Sequence, residues 1–140
     1  VMMVDMVTID TKALTNVLSR HSNILAALLF GSFVKGHANS ESDVDIALLY
    51  DRKRPYDFMQ QLSLCEELRA VVNDRKVDLL NLLKADPIIK HQVFANSKIL
   101  LMKDRTAYDQ MWVQSLNAYF DIKQVRKPIE DQLFGKLAHD

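Results

Sequence analysis

The sequence predicts an α/β fold, a small mixed sheet flanked by helices. Two observations predict it. Apolar runs of strand length, "NILAALLF", "DVDIALLY", "KVDLLNLL" and "KILLMK", recur along the chain, and the longer segments between them place apolar residues at helical spacing. A third observation sets its extent: 140 residues suit one domain with a single modest core, expected to span residues 1–140. No internal repeat, low-complexity tract or Gly/Ser-rich linker divides the chain, and its strong punctuation is limited to Gly31, Gly36, Pro55, Pro87, Pro128 and Gly135.

"DTKALTNVLSR" sets Leu14, Val17 and Leu18 on one helical face behind Asp10, a residue suited to cap the first turn. "NILAALLF" reads as a buried strand ending at Gly31, after which a tight turn and a short helix lead to a second strand from Asp43 to Tyr50. The chain breaks at "DRKRP" around Pro55. From Tyr56 to about Val72 the residues Phe58, Leu62, Cys65, Leu68 and Val72 recur at helical spacing, predicting a helix that covers one face of the sheet. Residues 76–83 read as the third strand, and Asp86 with Pro87 at the first helical position starts the next helix. "KILLMK" is a short fourth strand. From Arg105, the residues Tyr108, Met111, Trp112, Ser115, Tyr119 and Ile122 trace a stripe of a long helix expected to pack on the sheet and to end near Pro128.

Composition excludes several classes of function. Eighteen basic and eighteen acidic residues cancel, so no overall positive field draws the chain onto bulk nucleic acid, and direct general nucleic-acid binding is not expected. The longest apolar run, "ILAALLF", is too short to span a bilayer, so no membrane association is expected. One cysteine, Cys65, forms no intramolecular disulfide, and the first residues lack the basic start and long apolar stretch of a secretory signal; a cytoplasmic location follows as an expectation.

The chemistry concentrates in "GSFVKGHANSESDVD", residues 31–45. Side chains alternate along a strand, so Asp43 and Asp45 share a face one pleat apart. Two like charges at that distance repel, and burial of either without a partner is costly, so the pair is tolerated only with water or a cation beside it, and a divalent metal would resolve the conflict. Mg²⁺ takes oxygen ligands, typically one or two carboxylates with substrate phosphates and water. Asp78 supplies a third carboxylate if the third strand lies beside the second. Gly31 and Ser32 end the first strand where backbone can approach a phosphate closely, and Lys35 stands near enough to assist.

Gly31-Ser32, ten intervening residues, Asp43-Val44-Asp45 and a later Asp78 resemble the pattern of the minimal nucleotidyltransferases of the DNA polymerase β-like superfamily. The resemblance covers roughly residues 10–103, while the helix from Arg105 is only generically similar. The stretch "GSFVKGHANSESDVDIALLY" is similar, more closely, to the MntA-type antitoxins that pair with HEPN-domain ribonuclease toxins. This resemblance implies a nucleotidyltransferase fold, ATP as substrate, and two Mg²⁺ ions bridging Asp43, Asp45, Asp78 and the triphosphate. It further implies a hetero-oligomer with a HEPN toxin and transfer of AMP to a tyrosine hydroxyl of that partner, with Asp78 as base and Gly31, Ser32 and Lys35 on the nucleotide. Phe33 stands where many relatives carry a basic residue, and a phenylalanine there is suited to pack under the turn.

Two other functions share these residues: transfer of a nucleotide to a small molecule such as an aminoglycoside, and a binding-only antitoxin with a decayed site. The first usually needs an added helical domain to grip its acceptor. His21, His37, His91 and His139 show no metal-ligand spacing, Cys65 falls on an apolar helical face, and "DRKR" reads as a solvated loop.

Overall fold

The computed structural model describes residues 8–55 and 57–139. Its elements in chain order are α1 (Thr11–Ser19), β1 (Ile24–Phe30), α2 (Ser32–Lys35), β2 (Val44–Tyr50), α3 (Phe58–Arg69), β3 (Val77–Asn81), α4 (Pro87–Ala95), β4 (Lys98–Met102) and α5 (Arg105–His139). The strands form one sheet in the order β3-β2-β1-β4. β1 pairs antiparallel with both β2 and β4, whereas β2 and β3 run parallel, as the α3 crossover between them requires. The sheet is therefore mixed.

Alternation along the strands gives the sheet two apolar faces. Ala27, Leu29, Val44, Ile46 and Leu48 meet Leu14, Val17 and Leu18 of α1 and Leu64 and Leu68 of α3. Ala26, Leu28, Ala47 and Leu49 meet Val93 and Phe94 of α4 and Tyr108 and Met111 of α5. Because both faces are covered, β1 and β2 read as continuous apolar runs. Local signals start the helices: the Asp10 carboxylate accepts from the Ala13 amide, and the Asp86 carboxylate accepts from Ile88 and Ile89 with Pro87 in the first turn.

α3 departs from the spacing reading. It starts at Phe58 behind Asp57, which exchanges hydrogen bonds with Gln60 in a capping box, and the expected start at Tyr56 lies outside the described residues. The row that meets the core is Leu64, Leu68 and Val72, while Phe58 is 69% exposed and Leu62 44%. Apolar residues surround this helix on several sides, so its sequence fits two stripes, and contact with α1 and the sheet selects the one through Leu64.

α5 also departs, running through Pro128 to His139 instead of ending near the proline. A helical proline forfeits the hydrogen bond to the carbonyl four residues back. That carbonyl belongs to Gln124, an exposed residue that water can reach. Earlier in the helix the expected stripe does pack. Trp112 stacks on Phe94 with ring centroids 5.0 Å apart, and Tyr119 stacks on His91 at 3.9 Å, so α4 as well as the sheet receives it.

Urea denaturation tests the face that α3 presents. Leu68→Ala is expected to cost about 2–5 kcal/mol through the cavity it leaves, and Leu62→Ala to remain within about 0.5 kcal/mol of the parent, as exposed sites do.

Candidate active site

The site is assembled where β1 ends and where β2 and β3 begin. Gly31 follows β1 with φ 80° and ψ −150°, a positive-φ conformation open essentially to glycine alone. A Cβ added there would run into the Asp45 carboxylate. The register explains the closeness, because Phe30 pairs with Asp45 across β1 and β2. Ser32 opens the four-residue α2 and Lys35 closes it, with Gly36 in the left-handed conformation at φ 78° as its cap. Phe33 packs toward the face shared with α1 and α3, and the Arg75 guanidinium lies 5.4 Å from its ring centre.

The acidic residues come from the next two strands. Asp43 directly precedes β2 instead of opening it, as the sequence suggested; Val44 is the first strand residue, its amide donating to the Lys76 carbonyl at 2.9 Å. Asp45 and Asp78 are register partners on the parallel β2 and β3. Burial is the first cause that raises the Asp45 pKa, followed by the charges of Asp78 and Asp43, with Lys76 opposing. The Lys76 ammonium stands 3.6 Å from Asp78 and 4.0 Å from Asp43. Among the described residues no three His, Cys, Asp or Glu side chains stand ready as a metal cage. Two of the three carboxylates are engaged with an ammonium instead. As a donor set they fit a hard divalent ion, since all supply oxygen and the cluster already attracts one cation.

Beside this cluster opens a cleft of about 410 Å³, lined by Phe30, Gly31 and Lys35 on one side and by Ile89 and Gln92 of α4 with its cap Asn96 on the other. Its size suits a small-molecule ligand. A second cleft of about 440 Å³ lies at the other end of β2, against Tyr50, Arg52 and α5, and contains none of the predicted site residues. The structure thus brings Gly31, Asp43, Asp45 and Asp78 to one place, with Ser32 and Lys35 on the adjoining helix.

Sequence reasoning passed over Arg75 and Lys76. Strand alternation puts Lys76 on the same side as Asp78 two residues later, a signal present in "KVD". The reach of Arg75 across to residues 39–42 has no local signature. Cys65 is half-buried, and burial together with the Asp78 and Glu66 charges raises its thiol pKa, which disfavours the nucleophilic thiolate.

A family model for the polymerase beta nucleotidyltransferase domain matches residues 12–106, from α1 to the first turn of α5. The chain belongs to this family. The nucleotidyltransferase is 27% identical over 107 residues to the protein adenylyltransferase MntA of Aphanizomenon flos-aquae, covering 71% of each chain. It is 34% identical over 71 residues to a putative protein adenylyltransferase of Methanocaldococcus jannaschii, covering 46% of this chain and 70% of that one. In fold it is similar to a chain of a toxin–antitoxin crystallised with AMP-PNP, with TM-score 0.73, 24% identity, and coverage of 89% of this chain and 98% of that one. It is likewise similar to a chain of a tri-AMPylated Shewanella oneidensis HEPN toxin in complex with an MNT antitoxin, with TM-score 0.66, 22% identity, and coverage of 89% and 99%. No described helix of the nucleotidyltransferase is long and apolar enough to cross a membrane.

Thermal unfolding tests both halves of the site. Gly31→Ala is expected to lower Tm more than Gly36→Ala, because both have positive φ but only at Gly31 does a Cβ also meet a neighbour. Asp45 has a raised pKa when folded, so its ionised form opposes folding, and that penalty grows as pH rises from 3.8 through the folded value. Asp45→Asn is therefore expected to raise Tm at neutral pH, with the advantage shrinking as the pH is lowered toward 3.8.

Proposed function

We propose that this nucleotidyltransferase moves AMP from ATP to a tyrosine hydroxyl of a HEPN-domain ribonuclease toxin, binds that toxin as its antitoxin, and silences it by the modification. The observation that carries the reading is the register pairing of Asp45 with Asp78, with Asp43 two residues before Asp45 and Gly31 pressed against the Asp45 carboxylate. The relatives' names support the protein-directed form of the chemistry: one is named a protein adenylyltransferase and another a putative one, and a chain of similar fold occurs in a complex with an AMPylated HEPN toxin.

In this reading the Gly31–Ser32 turn receives the triphosphate through backbone amides and the Ser32 hydroxyl, and Lys35 offers its ammonium from the edge of the same cleft. Asp43, Asp45 and Asp78 would hold two Mg²⁺ ions, which when bound supply positive charge to the triphosphate and to the attacking and departing oxygens. Asp78 accepts the proton of the tyrosine hydroxyl as its oxygen attacks the α-phosphorus. One oxygen–phosphorus bond forms, the bond from the α-phosphorus to the oxygen bridging to the β-phosphate breaks, and pyrophosphate leaves. The added nucleotide places negative charge and bulk on the toxin. In this reading the partner brings the acceptor with it.

The test is incubation with ATP labelled at the α-phosphate, Mg²⁺ and the product of the neighbouring reading frame. Label is expected on that partner and is expected to disappear with EDTA, with Asp43→Ala and with Asp45→Ala, while Asp78→Asn is expected to slow labelling by about 10²-fold or more. Label retained by both alanine variants would discard the carboxylate assignment. Label on an added aminoglycoside instead of the partner would point to a small-molecule transferase, and partner binding without label to a binding-only antitoxin.

A further inference from the structure

We infer that Arg75, at the entrance to β3, is a positioning residue that holds the segment delivering Asp43 to the carboxylate cluster. This rests on the function proposed above for that cluster. Between Gly36 and Val44 the chain has neither helix nor strand, so Asp43 sits at the end of a loop and not inside a sheet ladder. The loop has a few bonds of its own: the Asn39 amide donates to Ser42 Oγ at 2.8 Å, and the Glu41 amide donates to Asn39 Oδ1 at 2.8 Å. A guanidinium ties it to the body of the protein. Arg75 Nη1 donates to the carbonyls of Asn39, Ser40 and Ser42 at 3.0, 3.1 and 3.1 Å. The same guanidinium lies over Phe33 of α2.

Arg75 thus touches both pieces of chain that frame the site, the helix after Gly31 and the loop before Asp43. It anchors them to the strand that carries Asp78. Its neighbour Lys76 completes the attachment, accepting the Val44 amide at its carbonyl and pairing with Asp43 through its ammonium. A carboxylate delivered by a loop is only as well placed as the loop, and a loop whose carbonyls converge on one cation moves as a unit with it. The hydrogen bonds of Arg75 go to the loop that ends at Asp43, so its loss should act on metal affinity and turnover more than on nucleotide affinity.

Arg75→Met is the test, with Arg75→Lys as a milder variant that keeps the charge and three donors but not the planar face over Phe33. Arg54→Met serves as the control, because Arg54 clamps a different loop, donating to Ser22 Oγ at 3.0 Å and to the Ser22 carbonyl at 2.8 Å. Mn²⁺ affinity is read by electron paramagnetic resonance in the presence of AMP-PNP, and amide hydrogen exchange is read over residues 39–43 with no ligand. Arg75→Met is expected to weaken Mn²⁺ binding tenfold or more and to speed exchange in that segment. Arg75→Lys should recover part of both, and Arg54→Met should change neither, whatever it does to Tm. Unchanged exchange in Arg75→Met overturns the inference with no reference to function. Mn²⁺ affinity equal to wild type overturns it while leaving the functional reading in place, whereas wild-type protein that binds no Mn²⁺ counts against the functional reading itself.

Discussion

The constraint on which the site depends is electrostatic. Two aspartates stand as register partners on adjacent parallel strands, with a third just before one of them, so the fold holds like charges together that free side chains would separate. Asp45 shows the strain, its carboxyl pushed toward the protonated form by burial and by Asp78 and Asp43. Nothing in the apolar faces of the sheet requires this arrangement. A domain that keeps it does so at some loss of stability, the usual signature of a site built for chemistry.

The rest of the architecture can be understood as a means of holding those charges in register. β1 and β2 form an antiparallel pair whose connection carries α2, so the end of one strand and the start of the next meet at Gly31 and Asp45. The α3 crossover then returns the chain parallel, placing the start of β3 beside the start of β2 and bringing Asp78 level with Asp45. α4 comes back over the opposite face and ends beside α2, forming the far wall of the cleft. Each element is fixed by apolar packing remote from the carboxylates. Leu64 and Leu68 below the sheet and Val93 and Phe94 above it provide the rigidity that the repulsion demands.

Much of this was legible in the sequence because the signals are local. Asp10 and the Asp86–Pro87 pair start helices through bonds made within three residues, and strand-length apolar runs mark a sheet covered on both faces. The spacing from Gly31-Ser32 to Asp43 and Asp45 is also a local fact, and it led to the family. Features decided by tertiary contact were not legible. α3 had apolar residues to offer on more than one side, and only docking against α1 and the sheet chose Leu64 over Phe58 and Leu62. Pro128 reads as a stop, yet the helix runs on through it, and the carbonyl whose bond it forfeits belongs to the exposed Gln124. Arg75 was invisible for a similar reason, since its partners lie more than thirty residues away in sequence.

Lys76 gives the cluster a resident counter-ion on a tether. Under the proposed function, a divalent ion that reached these aspartates would meet an ammonium already in place, so its loading would be a displacement and not the capture of a cation by bare negative charge. With or without such an ion, that ammonium offsets part of the mutual repulsion of the acids. The side chain that shields these acids in the folded chain would then compete with such an ion for Asp43 and Asp78.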